Sequence, residues 1–314
     1  MKDFQRNPMK NSKKSKLIFY IIIGIAVIVS AALITVLDGG KIIPGWDEIY
    51  AYMGMEEEYN GENAMKVHFI DVGQGDCAFI HTDEYAVLVD AGERGYEETV
   101  TDYIKQCGFD TIDYVIATHP HSDHIGSLSG VIDEFTVLNV IMPKLSKSNT
   151  PTTSVYESFL KSVKKSGATV ISATPGKNIT VGQMEMMILG LAKQFEDLND
   201  MSVVFNLIYG DTSFLFTGDA EKPAENEILN GEYKHYLDAD VLKAGHHGSS
   251  TSTGKAFLDI VSPELAIVSC GIDNDYGHPH RETVSLFAER GIEMLRTDES
   301  GTIVITSNGE EIFY

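Results

Sequence analysis

From about residue 65 onward, short apolar segments alternate with polar segments rich in Gly, Pro, Asn and Asp. Apolar and β-branched runs bounded by such turn residues predict buried strands, and apolar residues three and four positions apart predict amphipathic helices. We predict strands at 67–72, 77–81, 85–90, 114–118, 137–142, 169–172, 181–189, 203–209, 213–217, 241–245 and 265–269, and helices at 96–107, 127–135 and 155–166. This alternation predicts an α/β fold in which mixed sheets are covered by helices.

The pattern near the N-terminus is different, because the 21 residues from Leu17 to Leu37 contain no charged side chain. A helix of that length rises about 31 Å, which is enough to cross the hydrocarbon core of a bilayer. Six Lys or Arg residues and one acid precede this run, so we expect the N-terminus inside the cell. The alternative is a cleaved signal peptide, whose apolar region is usually shorter, about 7–15 residues.

These features divide the chain into four predicted parts. They are a basic cytoplasmic tail over 1–16, a transmembrane anchor over 17–37, a linker over 38–64 and a folded domain over 65–314. The protein is therefore predicted to be a single-pass protein of the cell membrane, with its N-terminus cytoplasmic and its folded domain extracellular.

The formal net charge of the chain is −22, although the basic tail contributes positive charge. Because binding to nucleic acid is driven by basic residues, we expect weak long-range attraction for a polyanion such as DNA. The three cysteines, Cys77, Cys107 and Cys270, have no short spacing. This argues against both a disulfide framework and a cysteine-based metal site.

Side chains that can bind a metal or take part in catalysis concentrate in one stretch directly after a predicted strand, His119-Pro120-His121-Ser122-Asp123-His124. In α/β folds the chemistry usually lies at the carboxyl ends of strands. So dense a polar cluster is difficult to bury without partners, and Zn²⁺ binds His nitrogen and carboxylate oxygen. Adjacent Asp123 and His124 can face a different point from His119 and His121, so we predict two metal ions. A surface histidine cluster without metal is the alternative.

Other predicted strand ends carry further candidates. Asp90 precedes Ala91-Gly92, Asp219 follows Gly218, and His246 and His247 follow Gly245. Taken alone, each aspartate has the sequence context of an ordinary turn residue.

Together these stretches resemble the metallo-β-lactamase-fold hydrolases, and most closely the branch represented by the hydrolase domain of the DNA-uptake protein ComEC. The matching stretches, in chain order, are 69–76 (FIDVGQGD), 88–92 (LVDAG), 119–124 (HPHSDH), 217–220 (TGDA), 245–249 (GHHGS) and 276–280 (YGHPH). The resemblance implies a four-layer αβ/βα sandwich with metals at one edge, here stand-alone and membrane-anchored.

The resemblance also implies roles for individual residues. The implied metal ligands are His119, His121, Asp123, His124, Asp219 and His246, with Asp219 bridging two ions. His246 is preferred to His247, which would contact substrate or pack. Asp90 would orient a ligand histidine.

One position departs from the family pattern. Many members have a further ligand histidine between the first motif and the bridging aspartate, but residues 125–218 contain no histidine. Asn199 and Ser202 occupy that region, so one metal would have only His119, His121 and Asp219 from the protein. Three protein ligands and an open position are typical of catalytic zinc.

The activity implied by the resemblance is hydrolysis by a metal-bound hydroxide at two divalent ions, Zn²⁺ first and Mn²⁺ as the alternative. Asp123 would orient the nucleophile, while His280, or else His278, would bind a substrate oxyanion or protonate the leaving group. A turn stabilised by Pro279 is the alternative for this pair.

The expected substrates are phosphodiesters, namely single-stranded DNA, nucleotides or components of the cell envelope. A groove around Lys243, Lys255 and Arg281 could accept a phosphate, and no obligate protein partner is indicated. The alternative function is that of a non-catalytic or weakly active competence or envelope factor that uses the same fold for binding.

Overall fold

The structure is a computed structural model that describes residues 64–190 and 193–314. The predicted basic tail, the predicted anchor at 17–37 and the linker up to residue 63 lie outside the described residues. Among the described helices, none combines the length and the apolar character that crossing a membrane requires.

The strands and helices of the described chain follow one another in an order close to that predicted. The strands are β1 (Met65–Phe69), β2 (Ala78–His81), β3 (Ala86–Val89), β4 (Thr111–Ile116), β5 (Thr136–Met142), β6 (Thr169–Ser172), β7 (Asn178–Val181), β8 (Met184–Ile188), β9 (Phe205–Tyr209), β10 (Thr212–Phe216), β11 (Val241–Lys243), β12 (Leu265–Val268), β13 (Glu293–Arg296), β14 (Ile303–Ser307) and β15 (Ile312–Phe313). The helices are α1 (Glu97–Gln106), α2 (Ser122–Ile125), α3 (Leu128–Glu134), α4 (Ser154–Ser166), α5 (Lys222–Leu229), α6 (Lys255–Val261), α7 (Arg281–Arg290) and α8 (Thr297–Ser300).

The strands form two sheets with related designs. The first has the order β15-β14-β1-β2-β3-β4-β5-β6, and the second has the order β13-β12-β11-β10-β9-β8-β7. Each sheet combines an antiparallel part with a parallel part, which runs from β3 to β6 in the first sheet and from β10 to β13 in the second. The parallel parts matter for function, because the carboxyl ends of parallel strands lie at one edge of a sheet.

Three apolar layers hold the fold together. The inner layer lies between the two sheets and includes Val67 and Phe69 of β1 together with Phe214 and Phe216 of β10. The helices α1, α3 and α4 cover the outer face of the first sheet, while α5, α6 and α7 cover the second. The described domain is therefore the αβ/βα sandwich that the family resemblance implies.

One predicted strand is wrong. The segment 181–189 is not a single strand, because β7 and β8 form an antiparallel hairpin that pairs Val181 with Met184. The turn between them begins at Gly182, whose φ of +60° is a conformation that glycine adopts without steric cost. The strand before the histidine motif also ends at Ile116, so Ala117 and Thr118 belong to the turn that follows.

Candidate metal centre

The predicted site residues come together where the parallel strands of both sheets end. Asp90 follows β3, the histidine motif follows β4, Asp219 follows β10, and His246 and His247 follow β11. A cleft of about 330 Å³ opens there, and its walls include His121, Asp123, Asn199, Asp219, His246, His247 and His278.

Asp219 occupies the centre of this arrangement and is almost completely buried. Its Oδ1 lies 3.2 Å from Nε2 of His124. Its Oδ2 lies 3.5 Å from Nε2 of His247 and 3.8 Å from Nε2 of both His119 and His246. One carboxylate thus faces four imidazoles, which is an arrangement suited to a bridge between two cations.

Asp90 holds His124 in place from behind. The Nδ1 atom of His124 donates to Oδ2 of Asp90 at 2.8 Å. Thr118 donates to the same carboxylate through its backbone N at 2.8 Å and its hydroxyl at 2.5 Å. Histidines that bind metals usually donate their other ring N–H to such an acceptor, which fixes the tautomer and the ring orientation. His124 therefore presents its Nε2 toward Asp219.

His119 and His121 form the second group of imidazoles. Nε2 of His119 lies 3.1 Å from Nδ1 of His121, and Nδ1 of His119 lies 3.2 Å from the Thr118 hydroxyl and 3.3 Å from the Ser202 hydroxyl. Burial, together with the nearby His124, lowers the pKa of His119 well below its usual range. The ring is therefore neutral, with a lone pair on Nε2 when Nδ1 carries the proton. Ser202 supports this group and also accepts the backbone N–H of Asp219 at 3.0 Å.

The two neighbouring histidines at the end of β11 differ in their surroundings. His247 is buried, its Nδ1 donates to the carbonyl of Ser269 at 3.0 Å, and its Nε2 lies 3.2 Å from Oδ2 of Asp123. The His246 side chain is 23% exposed and its Nδ1 donates to Oε1 of Glu221 at 3.0 Å. His247 thus lies beside Asp123, where the sequence analysis places His246, whereas His246 lies beside Glu221. Which of the two binds a metal stays a prediction.

The backbone at this pair explains why the sequence did not reveal the difference. His246 and His247 both have positive φ, 49° and 54°, which is uncommon for residues with a side chain. This conformation turns the two neighbouring rings into different surroundings. Such unusual backbone conformations often occur at functional sites, and strand prediction does not anticipate them.

Asp76 is a residue of the centre that sequence reasoning missed, and Lys243 lies beside it in a role other than the predicted one. One ligating atom from each of Asp76, His124, Asp219 and His247 lies within 4.8 Å of the others. Oδ2 of Asp76 accepts from Nζ of Lys243 at 2.8 Å, and Oδ1 lies 3.1 Å from Nδ1 of His247. Burial would raise the pKa of Asp76, but Lys243 and His247 outweigh it and lower the pKa to about 2.

This ion pair corrects the predicted phosphate groove, because Lys243 is buried and already paired with a carboxylate. The only sequence signal for Asp76 is its place in the Gly-Gln-Gly-Asp turn. Gly75 in that turn passes so close to Asp123 that a Cβ atom would lie 2.4 Å from the Asp123 carbonyl oxygen. The glycine therefore allows the turn to reach the centre.

The late loop brings one of its two histidines to the cleft. His278 lines the cleft, and its Nδ1 lies 3.4 Å from the side-chain nitrogen of Gln74. Both ring nitrogens of His280 are engaged by backbone, since Nδ1 accepts from the N–H of Ser250 at 2.9 Å and Nε2 donates to the carbonyl of Tyr276 at 3.2 Å. His278 thus lines the cleft, whereas the His280 ring contacts backbone atoms. The predicted preference for His280 as the group that acts on the substrate stays a prediction.

Buried atoms without hydrogen-bond partners test whether metal ions fit this centre. Among the described residues, six buried side-chain atoms lack a hydrogen-bond partner, and four of them belong to the centre: Asp76 Oδ1, His124 Nε2, Asn199 Oδ1 and Asp219 Oδ1. Buried polar atoms are normally hydrogen bonded, so this concentration requires an explanation. Lone pairs of imidazole and carboxylate that face one point fit a divalent cation.

The pKa values of the buried histidines agree with this fit. Burial alone would lower the pKa of both His124 and His247. The carboxylates of Asp219 and Asp90 instead raise the pKa of His124 well above its usual range. The carboxylates of Asp219 and Asp76 raise the pKa of His247 to about 10. Protons thus supply positive charge to the metal-free centre, and a divalent cation would supply it when bound.

Comparisons with known proteins show the family of this chain. The family model described as the metallo-beta-lactamase superfamily matches residues 70–272. The chain is 31% identical over 257 residues to ComE operon protein 3 of Bacillus subtilis (strain 168), an alignment that covers 76% of this chain and 32% of that protein. It is 28% identical over 278 residues to competence protein ComA of Neisseria gonorrhoeae, covering 88% of this chain and 37% of that protein.

The chain thus spans about a third of the length of these curated relatives. Among solved structures, the crystal structure of the metallo-beta-lactamase fold protein YhfI from Bacillus subtilis matches with a TM-score of 0.51 and 15% identity. That match covers 78% of this chain and 100% of YhfI, and it shows the shared fold alone.

Proposed function

The chain belongs to the metallo-β-lactamase superfamily, and from that premise we propose that it is a metal-dependent phosphodiester hydrolase. Its relatives named as competence proteins are consistent with the ComEC-like branch. The observation that carries the proposal is the position of Asp219 between imidazoles from both sheets, next to an open cleft. The metals of the proposal are two divalent ions, Zn²⁺ first and Mn²⁺ as the alternative.

In this proposal the first metal site consists of Asp123, His124, Asp219 and His247. The contacts of His247 with Asp123 and Asp219 support this set. The hydrogen bond from His124 to Asp90 also supports it, because it orients the His124 ring. This set replaces His246 of the sequence prediction with His247.

The second site of the proposal consists of His119, His121, Asp219 and His246. Nε2 of His246 and Nε2 of His119 lie at the same distance, 3.8 Å, from Oδ2 of Asp219. Glu221 links His246 to Asn199, since its Oε1 accepts from Nδ1 of His246 at 3.0 Å and from the Asn199 amide at 3.4 Å. His246 therefore lies next to Asn199, in the region where many family members have their further ligand histidine. This position supports the proposal that His246 supplies the ligand which that histidine supplies in those members.

Divalent ions bound at this centre would polarise the phosphoryl group and lower the pKa of water. The protein's own residues would position the reactants. Asp123 is the most exposed carboxylate of the centre, with 28% of its side chain accessible, so it can accept a hydrogen bond from the attacking water. Asp90, Ser202 and Glu221 hold the ligands in place.

His278 is proposed to act on the leaving group. The Gln74 amide donates to Nδ1 of His278, so the neutral ring carries its proton on Nε2. A neutral imidazole that lines the cleft can donate this hydrogen to a phosphoryl oxygen or to the departing oxygen.

The charge distribution supports short phosphodiesters or strand ends over processive binding to DNA. Lys243 is paired with Asp76 and is not available to a substrate phosphate. Recognition in the proposal therefore depends on the metals and His278, not on a basic groove. We extend the proposal to the membrane, with the anchor at 17–37 holding the hydrolase domain on the extracellular side.

The proposal is tested by measuring hydrolysis with the metal-loaded full-length protein. The substrates are bis-p-nitrophenyl phosphate, single-stranded and double-stranded DNA oligonucleotides and a β-lactam. We expect turnover of the phosphodiesters and its loss in Asp219→Ala, with Asp211→Ala, in an exposed turn, as the matched control. Full metal content without phosphodiester turnover would overturn the proposal in favour of a binding protein.

A further inference from the structure

A separate cluster of ligating side chains lies on the outer face of the first sheet, beneath α1. His68 of β1 and His81 of β2 point to this face, because their neighbours Val67 and Ile80 point to the inner core. Cys107, at the C-terminal end of α1, completes the cluster. One ligating atom from each of these three residues lies within 4.8 Å of the others, and none of the three lines the cleft.

The cluster lies among aromatic side chains of the layer between sheet and helices. The ring of His81 lies 5.3 Å from that of Phe79 and 5.1 Å from that of Phe109, measured between centroids. Polar groups placed in such surroundings are unfavourable unless they bond to one another or to an ion.

Each imidazole of the cluster has its Nδ1 engaged by a different partner. Nδ1 of His68 lies 2.9 Å from the hydroxyl of Tyr103, and Nδ1 of His81 donates to the carbonyl of Thr82 at 3.1 Å. The two Nε2 atoms lie 3.0 Å apart. Histidines that bind metals show this pattern, with one nitrogen held by a neighbour and the other directed at the ion.

The protonation states of the three residues also suit a metal. Burial lowers the pKa of His68 to about 3, with further contributions from His81 and Lys66. Burial likewise lowers the pKa of His81. Both rings are therefore neutral, and burial raises the pKa of the Cys107 thiol, so that this side chain is protonated in the metal-free protein.

We propose that His68, His81 and Cys107 form a third metal site that takes a thiophilic divalent ion of the zinc class. Two imidazoles and one thiolate match the ligand preferences of Zn²⁺, and a water can take the fourth position. The site ties the C-terminal end of α1 to β1 and β2. It revises the expectation that the cysteine pattern excludes a cysteine-containing metal site, because the histidines come from distant strands.

Metal binding at this site releases one proton. In the metal-free protein the Tyr103 hydroxyl donates to Nδ1 of His68, whose Nε2–H donates to Nε2 of His81. When the ion binds, His68 moves its proton to Nδ1 and donates it to the Tyr103 oxygen, so the ring stays neutral. Cys107 loses its thiol proton to the solvent, and its thiolate and the two Nε2 lone pairs bind the ion.

Cobalt substitution tests the proposal, because Co²⁺ bound to a thiolate shows a charge-transfer absorption in the near ultraviolet. None of the ligands proposed for the centre in the cleft is a cysteine, so that centre is not expected to give this band, and loss of the band in Cys107→Ala assigns it to Cys107. Full-length protein stripped by a chelator and titrated with Co²⁺ is expected to show the band. Asp219→Ala is expected to keep the band and Cys107→Ala to lose it.

Two further variants and one calorimetric measurement sharpen the test. Tyr103→Phe keeps the ring but removes the partner of His68, so we expect the affinity for Zn²⁺ to fall by about 10–100-fold. In the Asp219→Ala background, Zn²⁺ is expected to raise the melting temperature, and the further change His81→Gln is expected to remove that rise. Calorimetric titration of the Asp219→Ala protein with Zn²⁺, in buffers of different ionisation enthalpy, is expected to show that one proton is released for each ion bound.

Absence of the band in cobalt-loaded wild-type protein would overturn the proposal and leave the cluster a hydrogen-bonded network only. Persistence of the band in Cys107→Ala would also overturn it, because Cys77 or Cys270 would then be the ligand. Circular dichroism of each variant distinguishes these outcomes from loss of the fold.

Discussion

Nε2 of His124 lies 3.2 Å from Oδ1 of Asp219, yet neither atom has a hydrogen-bond partner among the described residues. At this distance the two atoms are close enough to bind the same cation. A cation between them would satisfy both, and the remaining oxygen of Asp219 faces the other imidazoles. This relationship makes Asp219 the carboxylate on which both proposed metal sites depend.

We therefore expect Asp219→Ala to lose metal from both sites at once. Metal content measured by plasma mass spectrometry should fall by two equivalents relative to the wild type, in a protein whose circular dichroism is unchanged. The exposed Asp211→Ala serves as the control and should keep its metal. A loss of only one equivalent would show that Asp219 does not bridge.

The two neighbouring histidines give a second prediction. His247→Ala should remove the ion held with Asp123 and His124, whereas His246→Ala should remove the ion held with His119 and His121. Each variant should therefore lose about one equivalent of metal. Anomalous diffraction from crystals of each variant would locate the ion that remains in the cleft, and an ion at the same cleft position in both variants would contradict the assignment.

A third prediction separates the two histidines of the late loop. His278→Ala should keep both metals of the cleft but lose about 10²–10⁴-fold in turnover, which is the usual contribution of a positioned acid or base. The loss should be largest for esters with poor leaving groups and small for p-nitrophenolate, which departs without a proton. His280→Ala should retain turnover on both kinds of ester if the loop keeps its fold. Equal losses in both variants would refute the distinction.

The buried pair of Asp76 and Lys243 predicts an effect on stability. Lys243→Met leaves the Asp76 carboxylate buried without its cation, which should lower the free energy of unfolding by about 3–5 kcal/mol. Adding Asp76→Asn should recover part of this loss, because it removes the unpaired charge. Urea unfolding in the presence of a chelator measures all three proteins.

The matched control for that pair is the exposed pair of Lys165 and Asp133, where Lys165→Met should cost less than about 1 kcal/mol. If Lys243→Met costs no more than this control, the pair does not contribute to stability.

Glu225 predicts how stability depends on pH. Its side chain is buried and accepts the N–H of Gly254 at 2.9 Å, and burial raises its pKa from 4.5 to about 7. The folded state therefore binds a proton more tightly than the unfolded state. The stabilisation is complete below pH 4.5 and is lost as the pH rises through 7.

Glu225→Gln removes this titration. The difference in unfolding free energy between wild type and variant should change by about 3 kcal/mol between pH 4.5 and about 8, in favour of the variant at high pH. Urea unfolding over this pH range measures it. Parallel pH profiles for the two proteins would contradict the prediction.

The general position of the centre was predictable because it follows from local patterns. The histidine motif, Asp90 and Asp219 each follow an apolar strand, and parallel strands bring their carboxyl ends together. The strand predicted over 181–189 does not anticipate the hairpin of β7 and β8, whose turn consists of Gly182 and Gln183.

The finer arrangement depends on features that sequence spacing does not contain. The choice between His246 and His247 follows from two consecutive positive φ angles. The choice between His278 and His280 follows from contacts with Gln74 and Ser250, both far away in the chain. The pairing of Asp76 with Lys243 joins the turn between β1 and β2 to β11 of the second sheet, and no local pattern signals it.

The proposed ligands come from both halves of the chain, and this has a consequence for biogenesis. His124 follows a strand of the first sheet, whereas Asp219 and His247 follow strands of the second, and the carbonyl that holds His247 belongs to Ser269. A nascent chain therefore has no complete site until synthesis has passed β12 and the sheets have docked. Metal that binds the folded domain and not the unfolded chain stabilises the domain by RT ln(1 + [L]/Kd), where [L] is the free metal concentration and Kd its dissociation constant. The lifetime of the protein would then follow the supply of metal in its compartment, with the metal-free protein unfolding sooner than the metal-bound one.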